Sequence, residues 1–323
     1  GFLFQINILG EKVERKLGRR SLNGIKVPMY RLPLFLLIVL CLTIVATTGY
    51  RIGAFNIQTL GQKKINNATV MNYIYNILLR YDFVLVQEIV DTSLQTPIVI
   101  LNGLNARDKN RYQMVSSPRL GSTSSKEQYA YFYRTQQSST VKTTLLKTFV
   151  YDDQTNEYER PPFIGQFLIQ QTLPSANVMV VDLKIYVIGI HIRPSKAFNE
   201  TKMLRKVVDS LKTNDPVVIM GDLNSGGSYM SAAQVKQLKE IHLKDFVWHI
   251  QEPQYTNVVR KYTYDRILSR GKQFQDLFKP GTNRTYEFDK VFNIKDDWLK
   301  AVSDHFPVEI ELNLPMNLDQ SIG

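Results

Sequence analysis

Four apolar stretches in this chain stop abruptly at a carboxylate, an amide or an imidazole, and this recurrence limits the fold more than any other feature. They are Asp82-Phe-Val-Leu-Val-Gln-Glu88, the run into Ile190-His191, Pro216-Val-Val-Ile-Met-Gly221 followed by Asp222-Leu-Asn224, and the approach to Ser303-Asp304-His305. A short run that is apolar throughout suits a central strand buried on both faces, and polar groups at its C-terminal end mark where it opens into a site. Such strands require covered sheets, which a chain of 323 residues is long enough to build.

The segments between them supply the covering layers. Arg51-Ile-Gly-Ala-Phe-Asn-Ile57 alternates as a strand does, and Asn67 to Leu79 sets Val70, Met71, Ile74, Ile77 and Leu78 on one helical face. From Tyr112 to His191 the chain reads as strands separated by turn chemistry: Glu127 to Arg134, Val141 to Phe149, Phe163 to Gln171, and Val178 to His191 with a break near Asp182-Leu-Lys184. A second helix spans Lys196 to Lys212, with Leu204, Val207, Val208 and Leu211 in register. Strands that follow strands imply antiparallel pairing. Two strand-helix-strand halves flanking these hairpins predict an α/β fold of two packed mixed, mainly antiparallel β-sheets flanked by helices, a four-layer sandwich. No repeat or low-complexity linker interrupts residues 50–314, which read as one domain, with 315–323 as a short tail.

The first fifty residues read differently. Residues 1–28 carry a charge run, show no clear period and precede the first methionine, Met29, so they are set aside from the fold as an N-terminal extension, one reading being that translation begins at Met29 and the mature protein lacks them. Leu34 to Ala46 is apolar over 13 residues, short of the roughly 20 that a spanning helix needs. With Arg31 before it and Ala46, Thr48 and Gly49 after it, residues 29–49 are expected to be a signal peptide, the alternative being an uncleaved anchor. The expected location is therefore extracellular, with no stable membrane anchor. Cys41, the only cysteine, lies in this segment. A zinc site of the CxxC kind, a disulfide framework and thiol redox chemistry are excluded, and the body must be held by its core.

The chain has 40 basic and 29 acidic residues, a net charge of +11 that favours a polyanionic partner. Seven of the basic and two of the acidic residues lie before residue 50, leaving 33 against 27, or +6, on the body.

If the four strand ends converge, Glu88, Asp222 and Asp304 form a set of hard oxygen ligands, suited to Mg²⁺ or Ca²⁺ and not to zinc. Of the four histidines in the chain, His191 and His305 stand beside them, while His242 and His249 lie elsewhere. Each piece also has a plain structural reading when taken singly. Asp222-Leu-Asn224 before Ser-Gly-Gly is turn chemistry, Gln87-Glu88 a strand end facing solvent, and Asp304-His305 before Phe-Pro a hydrogen-bonded loop.

The ordered set outweighs its parts. Asn56 in GAFNI, Glu88 in LVQEI, Glu127 in SSKEQY, His191 in GIHIRP, Asp222 and Asn224 in MGDLNS, Tyr264-Asp265-Arg266, and Ser303-Asp304-His305-Phe-Pro307 together resemble deoxyribonuclease I, in order from Arg51 to about Leu312. QE, GDxN and SDH are shared by the wider endonuclease/exonuclease/phosphatase superfamily; the YDRI stretch and the FNIxTxG opening point to the deoxyribonuclease I branch. The resemblance implies a secreted, Mg²⁺- and Ca²⁺-dependent monomeric endonuclease that cuts duplex DNA with little sequence preference and leaves 5′-phosphates. It implies two acid/base histidines, His191 oriented by Glu127 and His305 by Asp265. Glu88, Asp222 and Asp304 would serve the metal, Asn56 and Asn224 would assist, and Arg160 would contact phosphate. The chemistry agrees, since hydrolysis of a phosphodiester needs a base for water and an acid for the leaving 3′ oxygen, and imidazole titrates near working pH. Asn67-Ala-Thr69 falls where a family glycosylation site lies, while the sequons at Asn199 and Asn283 are of the number that chance supplies. Asp152 and Asp153 are candidates for structural Ca²⁺ on loop composition alone.

The chain also departs from the family. Gln58 and Val90 stand where arginines reach the substrate, and Ser125 where an aromatic stacks on a deoxyribose, changes expected to weaken the grip on duplex DNA. Both family disulfides are missing: the loop Asp152 to Tyr158 has no cysteines, and Gly227 and Tyr262 occupy the places of the other pair. A bridge is typically worth about 2–4 kcal/mol, so lower stability is expected. Met114 and Ser116 do not reproduce the hydrophobic edge that binds actin in mammalian members, which speaks against actin binding. Two other readings compete: a phosphodiesterase of the same superfamily acting on a phospholipid or small phosphodiester, and a catalytically silent DNA-binding protein. The intact acid/base and metal set argues against the silent form.

Overall fold

The computed structural model describes residues 49–314, except 110, 139 and 174–177. The extension 1–28, the expected signal peptide apart from its last residue, and the tail 315–323 lie outside the described residues. Among the described residues, no helix is long and apolar enough to cross a membrane.

Among the described residues, twelve strands form two six-stranded sheets. The first contains β1 (Tyr50–Leu60), β2 (Phe83–Ile89), β3 (Tyr112–Ser116), β4 (Gln128–Arg134), β11 (Arg284–Thr285) and β12 (Val308–Leu312), in the order β11-β12-β1-β2-β4-β3. The second contains β5 (Val141–Val150), β6 (Phe163–Leu173), β7 (Val178–His191), β8 (Val217–Asp222), β9 (Val247–Trp248) and β10 (Asp265–Arg270), in the order β5-β6-β7-β8-β10-β9. Only β1 with β2 and β7 with β8 pair in parallel, so the sheets are mixed and mainly antiparallel as expected. Each parallel pair is joined by a crossover carrying a helix: α1 (Gln62–Ile65) and α2 (Ala68–Leu78) in the first sheet, and, after α3 (Thr96–Arg107), α4 (Ala197–Ser210) in the second.

The apolar strands are explained by three cores. On β1 and β2, Ile52, Ala54, Phe83 and Leu85 face the second sheet, where they meet Phe167, Val187, Val218 and Met220. Their neighbours Phe55, Ile57, Val84 and Val86 face the other way, against Val70, Ile74 and Leu78 of α2 and against α3, α7 (Phe288–Phe292) and α8 (Asp296–Val302). On the second sheet Ile188, Ile190 and Ile219 pack on Leu204, Val207 and Val208 of α4 and on α5 (Ala232–Gln237). A strand buried on both faces has no polar side to alternate, which is why DFVLVQE is apolar until its end. The remaining short helix, α6 (Lys272–Leu277), follows β10 and buries Phe274.

One expectation needs correction, and one helix carries no signal in the sequence. β7 is not broken at Asp182-Leu-Lys184, because Asp182 and Lys184 point outward while Leu183 is buried, so alternation carries the strand through its charges. Helix α3 is unpredicted because it buries little more than Thr96, Pro97, Ile100 and Leu104, leaves Ile98 exposed and shows no clear apolar stripe.

Candidate active site

The site forms where the C-terminal ends of the two parallel pairs meet across the sheets. Gln87, at the end of β2, clamps them together: its Nε2 donates to the Ile190 carbonyl on β7 at 2.6 Å, and its Oε1 accepts from the Asp222 N–H on β8 at 3.2 Å. Gly221 permits this approach, with φ at +135° and room for no Cβ, which would lie 2.1 Å from the Ile190 oxygen.

Glu88 is presented by a distortion of the sheet. The register of β1 on β2 shifts between Asn56 and Leu60, and Thr59 and Glu88 take positive φ of 52° and 58°. The Thr59 N–H donates to Glu88 Oε2 at 2.9 Å. Asn56, fully buried on β1, donates through Nδ2 to Glu88 Oε1 at 2.9 Å and to Asp222 Oδ2 at 3.1 Å, joining carboxylates from different sheets.

Two imidazole–carboxylate pairs flank this centre. His191 Nδ1 lies 2.8 Å from Glu127 Oε2, and His305 Nδ1 lies 2.7 Å from Asp265 Oδ2. Their Nε2 atoms converge on one oxygen, Asp222 Oδ2, at 3.8 and 3.6 Å. Burial alone would lower both pKa values. At His191 the Glu127 hydrogen bond, together with the charges of Glu127 and Asp222, outweighs burial and the opposing charge of Arg160 and raises it. At His305 the carboxylates of Asp265 and Asp222 outweigh burial and push it up to about 10. Asp222 is raised by burial and then by Asp265, and burial also raises Asp304.

Neighbours fix these pairs in place. The Tyr129 hydroxyl accepts from the His191 N–H at 2.9 Å. Ser303 Oγ donates to the Asn56 carbonyl at 2.7 Å and accepts from the His305 N–H at 3.0 Å. Thr256 Oγ1 accepts from the N–H groups of Tyr264 and Asp265 at 2.9 and 3.1 Å. Arg160 is buried rather than solvated, 3.2 Å from Glu127 Oε1 and donating to the His191 carbonyl at 3.1 Å. Asn224, at φ +47°, donates through Nδ2 to the Ile192 carbonyl at 2.8 Å, and its N–H donates to Asp222 Oδ1 at 2.9 Å.

All seven acid/base and ligand candidates therefore belong to one site, with Asn56, Asn224 and Arg160 around it. Glu88, Asp222 and Asp304 offer hard oxygens, and two buried oxygens beside them, Asn56 Oδ1 and Asp304 Oδ1, have no protein hydrogen-bond partner. That arrangement fits a divalent cation. Asp222, Asp265 and His305 also bring ligand atoms within 4.8 Å of one another. Asp265 and His305 are bound to each other, and Glu88 accepts from Asn56 and Thr59, so Asp222 is the carboxylate common to both sets. Asp153 is a weaker Ca²⁺ candidate, because its two oxygens accept from the N–H groups of Glu157 and Tyr158 at 3.0 and 2.8 Å.

Residues 53–305 match the family model described as the endonuclease/exonuclease/phosphatase family. Deoxyribonuclease-1 of chicken (Gallus gallus) is 34% identical over 294 residues, covering 88% of this chain and 99% of the chicken protein. The pig (Sus scrofa) protein of the same name is 32% identical over 271 residues, 81% of this chain and 91% of its own. The chain belongs to the deoxyribonuclease I family. Its membership places it among the hydrolases of ester bonds. The solved structure of a family protein from Leptotrichia buccalis C-1013-b superposes with a TM-score of 0.54 at 14% identity, covering 82% of this chain and 99% of that one, which supports the sandwich fold.

Against that family background, sequence reasoning missed several residues that build the site. Gln58, read as a lost arginine, donates through Nε2 to Asp304 Oδ2 at 2.9 Å. Lys64 donates to the Val302 carbonyl at 2.8 Å and to the Gln58 carbonyl, and burial lowers its pKa to about 8. Gln87 gave a signal, since a polar residue stood where an apolar strand entered the site, yet its role in joining the sheets needs the fold.

Proposed function

We propose that the protein is a secreted, divalent-metal-dependent endodeoxyribonuclease that hydrolyses DNA phosphodiester bonds to 5′-phosphate products. The observation that carries this reading is the convergence of two carboxylate-held imidazoles on one point through their Nε2 atoms. With each Nδ1 held by a carboxylate, each Nε2 is left to exchange a proton with a substrate lying between them. One imidazole takes a proton from water as its oxygen bonds to phosphorus. The other gives a proton to the 3′ oxygen as the P–O3′ bond breaks. Glu88 and Asp222, with Asp304 nearby, would hold a Mg²⁺ ion, whose positive charge would offset the charge that develops on the phosphoryl oxygens. Arg160 holds Glu127 against His191 and presents a cation on that side of the site.

DNA as substrate is supported by the deoxyribonuclease-1 relatives and by a solved D. rerio TDP2 complexed with a single strand DNA product, which has a TM-score of 0.52 at 18% identity. Secretion and Ca²⁺ activation belong to the same proposal and follow from the family resemblance and the apolar segment of residues 29–49. Glycosylation at Asn67 suits the local geometry: the residue is exposed and caps α2 through Oδ1, which leaves its Nδ2 available. Asn283 is less suited, because its Nδ2 donates to the His249 carbonyl at 2.9 Å.

The test is nicking of supercoiled plasmid with Mg²⁺ and Ca²⁺, beside EDTA and His191→Ala controls, with end-labelling to identify the 5′ group. Nicking that both controls abolish, with 5′-phosphate ends, is the expected result. A folded protein that leaves plasmid intact even at low salt would sink the reading.

A further inference from the structure

A row of aromatic rings leads outward from His305. Tyr264 lies 6.1 Å from the His305 ring, centroid to centroid, and is itself flanked by Tyr262 at 5.4 Å and by Tyr229 at 5.3 Å, both tilted by about 35°. Tyr264 is nearly buried, Tyr262 is half-buried, and Tyr229 at the outer end is 44% exposed. Lys261 Nζ stands 5.1 Å from the Tyr262 ring centre. Gly227 at φ +59° lets the Tyr262 ring lie against the backbone, since a Cβ there would come within 2.7 Å of it.

The row is built rigidly. Asn257 Oδ1 accepts from the N–H groups of Lys261 and Tyr262, both at 3.0 Å, and the Thr256 N–H donates to the Tyr262 carbonyl at 2.8 Å. The Tyr229 N–H donates to the Gly226 carbonyl at 3.2 Å. Tyr229 and Tyr262 flank Tyr264, which lies against His305, and an ammonium group stands beside Tyr262; together they match the two parts of a nucleotide, a flat base and a phosphate. Bases in a duplex already stack on their neighbours and do not offer their faces. An unpaired base does. Gln58 is held on Asp304 and Val90 carries no charge, so neither supplies a groove contact to a duplex.

Resting on the nuclease reading, we infer that Tyr229 and Tyr262 form a stacking platform for an unpaired nucleobase beside the scissile phosphate, making single-stranded DNA a substrate of this site. The experiment measures Kd by fluorescence anisotropy for a labelled phosphorothioate single strand and for a hairpin duplex of the same length, on the full chain in Ca²⁺. For Tyr229→Ala, the ratio of duplex Kd to single-strand Kd falls about 5- to 150-fold, the range that one stacked base contributes. Tyr229→Phe keeps the wild-type ratio. An unchanged ratio in Tyr229→Ala, or a wild type that does not bind the single strand, overturns the platform. A wild type that nicks plasmid while showing either of these results keeps the nuclease reading, whereas failure of nicking sinks that reading separately. Because Tyr229 is exposed, its truncation leaves the cores intact.

Discussion

His249 offers the cleanest pH test of this fold, because burial is the sole cause of its shift. The ring is 3% exposed, lies 4.4 Å from the Phe278 ring and makes one side-chain hydrogen bond, to Ser269 Oγ at 2.6 Å. No carboxylate compensates for the loss of water, so burial lowers its pKa from 6.5 to about 4. The unfolded chain therefore takes up this proton first as pH falls, and stability present above pH 6.5 is lost on the way down to pH 4. At 1.36 kcal/mol per pH unit, the loss from this group alone is about 2 kcal/mol at pH 5 and about 3 kcal/mol at pH 4. Urea unfolding of the wild type and of His249→Gln, whose amide can still reach Ser269, isolates the contribution, since all other titrating groups cancel in the difference. The substitution costs some packing at pH 7.5, and the gap between the two proteins narrows by about 2 kcal/mol at pH 5. A gap that stays constant across that range would refute the reasoning.

Two further substitutions probe the frame of the site. Gly221→Ala places a Cβ 2.1 Å from the Ile190 oxygen at a φ that disfavours side chains, and is expected to cost more than about 3 kcal/mol, read as a drop in Tm or in soluble yield. Glu309 is fully buried, accepts from Arg80 Nε and Nη2 at 2.6 and 2.7 Å and from Arg284 Nε at 2.7 Å, and these partners hold its carboxyl below the usual range despite burial. Glu309→Gln leaves the arginines uncompensated and is expected to cost about 3 kcal/mol, less than a fully enclosed pair because Arg284 is half exposed; chemical denaturation at pH 7 measures it.

What the sequence revealed and what it concealed follow from the range of the interactions. Both faces of β2 are apolar because both sheet faces are covered, so its burial could be read locally. Helix α3 could not, since it rests on the sheet by few side chains and carries no stripe. The pairs of the site join residues 64 and 40 positions apart, and only the ordered family pattern, not any local spacing, brought Glu127 to His191 and Asp265 to His305. Gln58 shows the opposite case. Read by position, it is a missing arginine; in the fold, the bulge at Thr59 and Glu88 leaves its amide on Asp304, so the substitution changes a contact to substrate into a contact within the site.

The missing disulfides extend the same argument to stability. In the loop Asp152 to Tyr158, the Asp153 carboxylate closes the turn by accepting two backbone N–H groups. Charge-assisted bonds of this kind are worth about 1.5–3 kcal/mol each, comparable with the 2–4 kcal/mol of a bridge, though they constrain only the folded state. At the other position the Tyr262 ring packs on Gly227, which replaces a covalent link by a contact that only glycine allows. The two sites differ in consequence. Asp153 closes its loop, whereas Tyr262 fills the gap with an aromatic face continuous with Tyr264, so the residue that substitutes for a cysteine also extends the surface beside His305. Cysteines restored at both Gly227 and Tyr262 would remove that surface while placing a side chain at a φ of +59°, so the affinity for single strands should fall whether or not the bridge outweighs the backbone strain.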